Sequence, residues 1–376
     1  MVSSRLAFLF LPLLIHADSF EDFKSKQDDQ FKHEKLKFID YKKQEDKAFK
    51  AHLEQENRAI KAYKKKLHAL WPKSDLQEAK KHTNYSKDLK TKTVIDFNNN
   101  QVVISKISPK EAVSNKKLLK QLNETLKLTN NEAFSKNTFE QSIQKASTPS
   151  KYVKTSKLDK QPLLFLKSDT KKVKDLSLSQ DGDVYTLTYK LPKDATYKRS
   201  YNYLVSAKSN AARFNLQAEI LLAIMHSESS FNPMARSHIP AFGLMQIVPR
   251  SAGIDSYKYL YKERRLLSAS YLYNTKNNIE IGSAYFHILY YKYLASIKNP
   301  QSRLYCAIAG YNTGAGNVAW AFTRTYNVKK AAKHINAMTP KEVYAHLQKH
   351  LRYDEPKHYL KRVRERSVRY KKLYRL

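Results

Sequence analysis

The stretch QAEILLAIMHSESSFNP, residues 217–233, decides how this chain is interpreted. Its apolar residues recur at helical spacing, which predicts a helix over residues 217–229. Three apolar residues precede Glu228 by seven, four and three positions and therefore share one helix face with it. They are Leu221, Ile224 and Met225. The Asn-Pro pair at 232–233 disfavours further helix, so Glu228 is expected in the last turn.

Two effects are expected to raise the pKa of Glu228. The apolar stripe should desolvate its carboxylate, and the last turn lies at the negative end of the helix dipole. A carboxyl group that keeps its proton near neutral pH is suited to protonating a glycosidic oxygen. The alternative is a glutamate at the rim of a core helix that reaches water or is capped by a neighbour.

A second carboxylate, which glycosidases normally use, is missing from the nearby sequence. Glu219 lies nine residues earlier, on the opposite side of the predicted helix. Downstream, the next acidic residue is Asp255, although a more distant one could fold in. If none does, the substrate must supply its own nucleophile. N-acetylmuramic acid is a sugar that could do so. Its 2-acetamido group can stabilise the positive charge that forms at C1, and its 6-hydroxyl can bond to C1.

Five sequence blocks, in order from Glu228 to Val363, resemble the motifs of the soluble-lytic-transglycosylase (goose-lysozyme-like) family. They are ESSFNP at 228–233, AFGLMQI at 241–247, Asn278-Ile279 with Gly282 and Tyr285, Ala309–Asn312 with Gly314 and Gly316, and Glu355 with Tyr359 and Val363. The N-terminal half resembles membrane-bound members of this family, in which a smaller mixed domain precedes the catalytic one. Those members carry a lipid anchor on a cysteine, which this chain lacks near its N-terminus.

The resemblance implies site residues and a reaction. Glu228 would act as general acid and then as general base. Six other residues would bind or surround the substrate: Ser237 at the acetamido group, Met245 and Gln246 along the groove, Tyr311 with its hydroxyl toward the acid, Asn312 in the adjoining turn, and Tyr359 closing the cleft. Alternatively, Met245 is a core residue, and Gln246 and Asn312 mainly bond to backbone in turns.

The implied activity is cleavage of the β-1,4 bond between N-acetylmuramic acid and N-acetylglucosamine in peptidoglycan, leaving a 1,6-anhydro ring. A hydrolytic muramidase on the same scaffold is the nearest alternative. A wall-binding or secretion-associated protein with little turnover is an alternative of another class. No cofactor and no metal are expected.

The predicted fold class is α+β, with a mixed helix and small-sheet domain over residues 18–195 and an all-helical lysozyme-like domain over 196–376. Charged sequence with apolar residues at helical spacing predicts one or two helices within 19–71. Alternating apolar residues predict strands; these are Thr93–Phe97 and Val102–Ser105, joined as a hairpin, and Val184–Lys190. Three of the chain's 7 glycines fall within 310–316, which predicts positive φ or a close backbone approach there.

The net charge of +35 favours polyanionic partners without choosing among them. No base-reading motif is present, so no nucleic-acid partner is expected. A dense basic run at 357–375 would contact an anionic wall or membrane surface, or serve as a solubilising tail. The single Cys306 cannot form an internal disulfide and is expected in the core.

The N-terminus is predicted to be a signal peptide, residues 1–17. Arg5 precedes the apolar run 6–15, which is short for a membrane span, and Ala17 suits a cleavage site. The expected location is therefore periplasmic. An uncleaved N-terminal anchor is the alternative.

Overall fold

The computed structural model describes residues 47, 49–109, 113–146, 152–154, 158–164 and 176–376. They divide into two compact units, residues 1–58 and 59–376. The described residues of the first unit are helical. The predicted signal peptide lies outside the described residues. The predicted boundary between 195 and 196 stays a prediction.

The second unit begins with helical residues 59–68 (α1) and contains one antiparallel sheet of five strands in the order β1-β2-β3-β5-β4. The strands are β1 (Lys81–Tyr85), β2 (Thr91–Asp96), β3 (Gln101–Ile107), β4 (Leu176–Asp181) and β5 (Val184–Lys190). The predicted hairpin is confirmed as β2–β3, with Asp96 opposite Gln101. The predicted strand Val184–Lys190 is confirmed as β5.

Two of the strands were not predicted, because their sequences are polar. β1 reads KHTNY and shows no apolar alternation, whereas β4 reads LSLSQD, in which leucine and serine alternate over only four residues. β4 lies at the sheet edge and is almost entirely exposed, which explains its composition. Together with the helices, this sheet confirms the predicted α+β class.

Helices make up the rest of the second unit. Three accompany the sheet: α2 (Asn115–Leu126), α3 (Asn130–Ser135) and α4 (Thr138–Ala146). Ten follow it: α5 (Ala195–Phe214), α6 (Ala218–Ser229), α7 (Ile254–Tyr261), α8 (Ala269–Tyr273), α9 (Thr275–Ile288), α10 (Pro300–Thr313), α11 (Ala315–Thr323), α12 (Val328–Asn336), α13 (Pro340–His350) and α14 (Asp354–Tyr374). Residues 195–376, all of them described, contain no sheet strand, as predicted. No helix in the described ranges has the length and apolarity needed to cross a membrane.

The basic run near the C-terminus belongs to α14, which packs along α6. Its buried face consists of Pro356, Tyr359, Leu360, Val363, Ser367 and Tyr370, while most basic residues lie on the other faces. The run is therefore part of a structural helix and not a separate tail. Cys306 is fully buried in α10, which confirms its predicted place in the core.

Arg199 of α5 joins the helices to the sheet. Its side chain is fully buried, and Nη2 donates to the Phe97 carbonyl oxygen and to Asn100 Oδ1, each at 2.9 Å. The guanidinium carbon lies 5.2 Å from the centre of the Phe97 ring. Burial lowers the pKa of Arg199 to about 10. The turn between β2 and β3 is thus anchored directly to the helical part of the unit.

Candidate active site

Helix α6 is almost wholly buried and ends at Ser229, one residue after Glu228. This confirms the predicted position of Glu228 in the last turn. The helix is terminated by Ser230 and Phe231, which both adopt left-handed backbone with φ of 52° and 64°. Asn232 then accepts a 3.0 Å hydrogen bond from the Met234 N–H, which stabilises the reversed chain.

Helix α14 runs antiparallel to α6, so residues earlier in α14 contact residues later in α6. The Tyr370 hydroxyl lies 2.9 Å from His226 Nδ1, and Arg366 Nη1 donates to Ser227 Oγ at 2.9 Å. Continuing in this direction, Tyr359 comes to lie beside Glu228. The closing motif of the sequence is therefore brought to the acid by helix packing.

Glu228 is half-buried, and burial raises the pKa of its carboxyl group to about 7. The charge of Glu355 raises the pKa further. Against these, the Tyr359 hydroxyl and the charges of Lys80 and Arg362 lower it. The raised pKa predicted from the apolar stripe is confirmed, and desolvation is its largest cause. Glu228 can thus hold a proton at neutral pH and can also exist as a carboxylate at a pH close to neutral.

Tyr359 is 1% exposed, and its hydroxyl faces the Glu228 carboxylate. The hydroxyl completes no hydrogen bond of full geometry within the described part of the chain. Its interaction favours the carboxylate and so lowers the pKa of Glu228. This position agrees with the predicted place of Tyr359 at the acid, whereas its role in closing a cleft stays a prediction.

We expect Tyr359→Phe to move the alkaline limb of the activity profile to higher pH. The acid form of Glu228 is required, so activity should fall about tenfold per pH unit above a pKa of about 7. Removing the hydroxyl removes an interaction that favours the charged form, so the pKa rises. Turnover measured from roughly pH 5 to roughly pH 10, a range that brackets the alkaline limb, would show the shift. An unmoved limb, or the same shift in the exposed control Tyr353→Phe, would contradict this role.

The acidic residues considered from the sequence lie elsewhere. Glu219 faces α14, where its Oε1 lies 3.9 Å from Lys371 Nζ. Asp255 accepts a 2.8 Å hydrogen bond from the Tyr293 hydroxyl. The carboxylate that does fold in is Glu355, whose charge reaches Glu228. Glu355 is exposed and accepts a 2.8 Å bond from Arg362 Nη2, so it is held by an ion pair outside the buried site.

Two of the resembling blocks meet at Asn278, which is fully buried in α9. Its Oδ1 accepts from the Met245 N–H at 2.8 Å, and its Nδ2 donates to the Phe242 and Leu272 carbonyls, each at 2.8 Å. Gly243 has φ +74°, and a Cβ there would lie 2.3 Å from Asn278 Nδ2. The loop at 242–247 therefore requires both Gly243 and Asn278, which gives a structural reason why the two sequence blocks occur together.

Met245 is fully buried, and its side chain packs against Gly282. This burial favours the core alternative, and a contact of Met245 with a substrate stays a prediction. Gln246 is half-buried with φ 47°, and its Nε2 donates to the Gly243 carbonyl at 3.0 Å. Gln246 thus bonds to backbone in the turn, and its contact with a substrate stays a prediction.

Tyr311 lies close enough to Glu228 for the glutamate charge to raise its pKa, after the larger effect of burial. Its hydroxyl, however, donates to the Met245 carbonyl at 2.9 Å. The structure therefore places Tyr311 beside the acid, but its hydrogen bond goes to the loop backbone and not to the carboxylate.

Ser237 lies in the loop after α6, half-buried, and its hydroxyl donates to the Ile239 carbonyl and accepts from the Ala241 N–H at 3.2 Å. Asn312 is half-buried in the last turn of α10. The next turn is made by Gly314, whose φ of +87° confirms the predicted need for a glycine. Substrate contacts of Ser237 and Asn312 stay predictions.

Three cations near this site were not identified from the sequence. The charges of Lys80 and Arg362 act on Glu228, and the charge of Arg366 acts on Lys80. Lys80 immediately precedes β1, and the two arginines belong to α14. In a chain with 69 Lys and Arg, no single basic residue stands out. The two arginines lie one turn apart on the helix that carries Tyr359. This spacing was the one feature of the sequence that could have indicated them.

The fold and the site define a helical domain with one desolvated carboxylic acid at the end of a buried helix. Residues 206–334 match the family model described as Transglycosylase SLT domain. The match covers about a third of the chain and lies within its helical part.

Curated relatives include two proteins named membrane-bound lytic murein transglycosylase C. The one from Sodalis glossinidius is 39% identical over 189 residues, covering 50% of this chain and 52% of the relative. The one from Klebsiella pneumoniae subsp. pneumoniae is 40% identical over 189 residues, with the same coverage. The chain thus spans about half the length of the curated relatives it matches.

Two solved structures resemble part of the chain. An inactive mutant of lytic transglycosylase Slt from Pseudomonas aeruginosa has a TM-score of 0.33 and 23% identity, covering 46% of this chain and 24% of that one. The 70 kDa soluble lytic transglycosylase from Escherichia coli has a TM-score of 0.36 and 22% identity, covering 48% of this chain and 26% of that one.

Proposed function

We propose that this protein is a peptidoglycan lytic transglycosylase that remodels the cell wall. The observation that carries the proposal is Glu228, a lone desolvated acid with a pKa of about 7. The SLT-family match at 206–334 and the relatives named for murein transglycosylase activity support it. Its partner would be the peptidoglycan glycan strand, and it would act after export to the periplasm.

The proposed reaction needs one acid that acts twice. Glu228 donates its proton to the oxygen that links N-acetylmuramic acid to N-acetylglucosamine, and the C1–O bond breaks. The 2-acetamido oxygen of the muramyl sugar stabilises the positive charge at C1. The Glu228 carboxylate then takes the proton of the 6-hydroxyl as O6 bonds to C1. The proton balance closes and no water is consumed.

The electrostatic surroundings of Glu228 suit both steps. Burial favours the protonated form that starts the reaction. Lys80, Arg362 and the Tyr359 hydroxyl favour the carboxylate that finishes it. These opposing effects hold the pKa near the pH at which a wall enzyme works, which is the condition for efficient general acid–base catalysis.

Mass spectrometry of digested peptidoglycan tests the proposal directly. We expect muropeptides that end in a 1,6-anhydro ring, each one water lighter than the hydrolytic product. Reduction with borohydride provides the control, because a reducing end gains two hydrogens whereas an anhydro end does not react. Products that are all reducible would instead identify a hydrolytic muramidase, for which the nearby Glu355 carboxylate gives a specific reason.

A further inference from the structure

The segment that precedes β1 packs against the loop that follows the end of α6. Asn232 Nδ2 donates to the Ala79 carbonyl at 3.2 Å, and the Gln77 side-chain amide donates to the Met234 carbonyl. The Arg236 N–H approaches the Glu78 carbonyl at 3.5 Å. These bonds hold residues 77–80 against the site, so the position of Lys80 near Glu228 is built into the fold.

Lys80 is half-buried in an unfavourable place for a lone cation. Burial lowers its pKa, and the charges of Arg362 and Arg366 lower it further, whereas the charges of Glu228 and Glu355 raise it. Within the described ranges, no carboxylate lies at ion-pair distance from its ammonium group. Glu355 is paired with Arg362, and Arg366 donates to Ser227 Oγ. Of the three cations, Lys80 is thus the one left without a bonded partner.

A half-buried cation that lies beside two arginines and forms no ion pair of its own costs free energy in the free protein, and an incoming anion would reduce that cost. We propose that Lys80 binds a carboxylate on the muramyl residue of the substrate. The inference rests on the proposed function and deepens it. The segment before β1 would then contribute to selecting substrates that carry a negative charge on the muramyl residue.

Two sources of this carboxylate exist in peptidoglycan. A muramyl residue without its peptide has a free lactyl carboxylate on O3. A muramyl residue with its peptide has an amide there, and its carboxylates lie further out on the peptide. Both present the same chemistry to Lys80, whereas a lactyl methylamide presents a neutral group of similar size.

The test measures binding by calorimetry in the Glu228→Gln background, so that the ligand is not consumed. The ligands are alternating tetrasaccharides of N-acetylglucosamine and N-acetylmuramic acid in three forms: free lactyl carboxylate, lactyl methylamide, and peptide-bearing. We expect Lys80→Gln to weaken binding of a carboxylate form about tenfold, as for one partly buried charge pair. Binding of the methylamide should not change.

The pattern of losses identifies the source of the anion. A loss with the free lactyl form assigns the contact to the lactyl group, and a loss with only the peptide-bearing form assigns it to the peptide. An equal loss with the methylamide, or no loss with any form, would overturn the proposal. Higher salt should reduce the effect of Lys80, since screening weakens the pair.

Two variants control for structural damage. Lys80→Arg keeps the charge and should retain most of the affinity for the carboxylate form. Lys81→Gln removes the neighbouring charge, whose Nζ lies 3.3 Å from Glu78 Oε2, and should leave all three affinities unchanged. The proposed function is tested separately by the products of the unmodified chain: anhydro products with unaltered Lys80→Gln binding would leave that function standing and reject this inference alone.

Discussion

Glu228→Gln is expected to lower peptidoglycan cleavage by about a thousandfold or more while leaving the fold intact. General acid–base catalysis by one residue contributes roughly 10²–10⁴-fold, and here the same residue serves both steps. Glutamine has nearly the same shape but cannot donate the proton. The measurement is the release of soluble muropeptides from purified sacculi, followed over time at fixed protein concentration.

The same variant makes a prediction about stability that separates chemistry from folding. The folded chain holds the Glu228 proton more tightly than the unfolded chain, because its pKa is raised from 4.5 to about 7. Stability is therefore lost as the pH rises through this interval, and glutamine avoids the loss because it does not ionise. We expect the Tm of Glu228→Gln at pH 8 (above the pKa of about 7) to equal or exceed that of the parent.

Glu219→Gln provides the matched control for activity. Glu219 lies on the same helix and is buried, but it faces Lys371 of α14. Its loss should leave cleavage within about twofold, because it is not beside the reacting bond. Full cleavage by Glu228→Gln would reject Glu228 as the catalytic acid, and no cleavage by the unmodified chain would favour a wall-binding protein. Equal losses in both variants would indicate damage to α6 and not to the chemistry.

The local features of the site were predictable from sequence because they depend on neighbours within one helix. The apolar stripe before Glu228 fixes its face, and its place in the last turn follows from the Asn-Pro pair at 232–233. The helix ends at Ser229, as predicted, but through left-handed Ser230 and Phe231. No simple sequence rule indicates two successive non-glycine residues in that conformation, since it is sterically disfavoured.

The long-range features were not predictable, because they depend on which surfaces meet. Lys80 and Glu355 come to lie near Glu228 from distant parts of the sequence. Lys80 looks like an ordinary surface charge in the sequence, and Glu355 belongs to the closing motif without any sign there that its charge acts on Glu228. Met245 shows that a motif does not report burial: the resemblance implies a place along the groove, whereas packing against Gly282 buries the side chain completely. Strand β1 was missed because its polar residues face buried polar partners, as where the Gln77 amide contacts His82 Nδ1 at 3.2 Å.

Glu140→Gln is expected to destabilise the second unit by about 3–5 kcal/mol, the usual cost of breaking a buried ion pair on one side. Glu140 of α4 is 1% exposed, and its Oε2 lies 3.4 Å from Arg236 Nη1, whose side chain is 5% exposed. The Tyr273 hydroxyl donates to Glu140 Oε1 at 2.7 Å. Without the carboxylate charge, the arginine stays buried and loses this ion pair.

The urea midpoint of unfolding measures this effect, and two further variants serve as controls. Glu280→Gln removes one member of the more exposed Arg213–Glu280 pair and should cost no more than about 1 kcal/mol. The double variant Glu140→Gln with Arg236→Met should recover much of the lost stability, because it removes the stranded charge together with its partner. Equal small shifts for Glu140→Gln and Glu280→Gln would show that the Glu140–Arg236 pair does not hold α4 to the loop. A large shift that the second substitution relieves would show that it does.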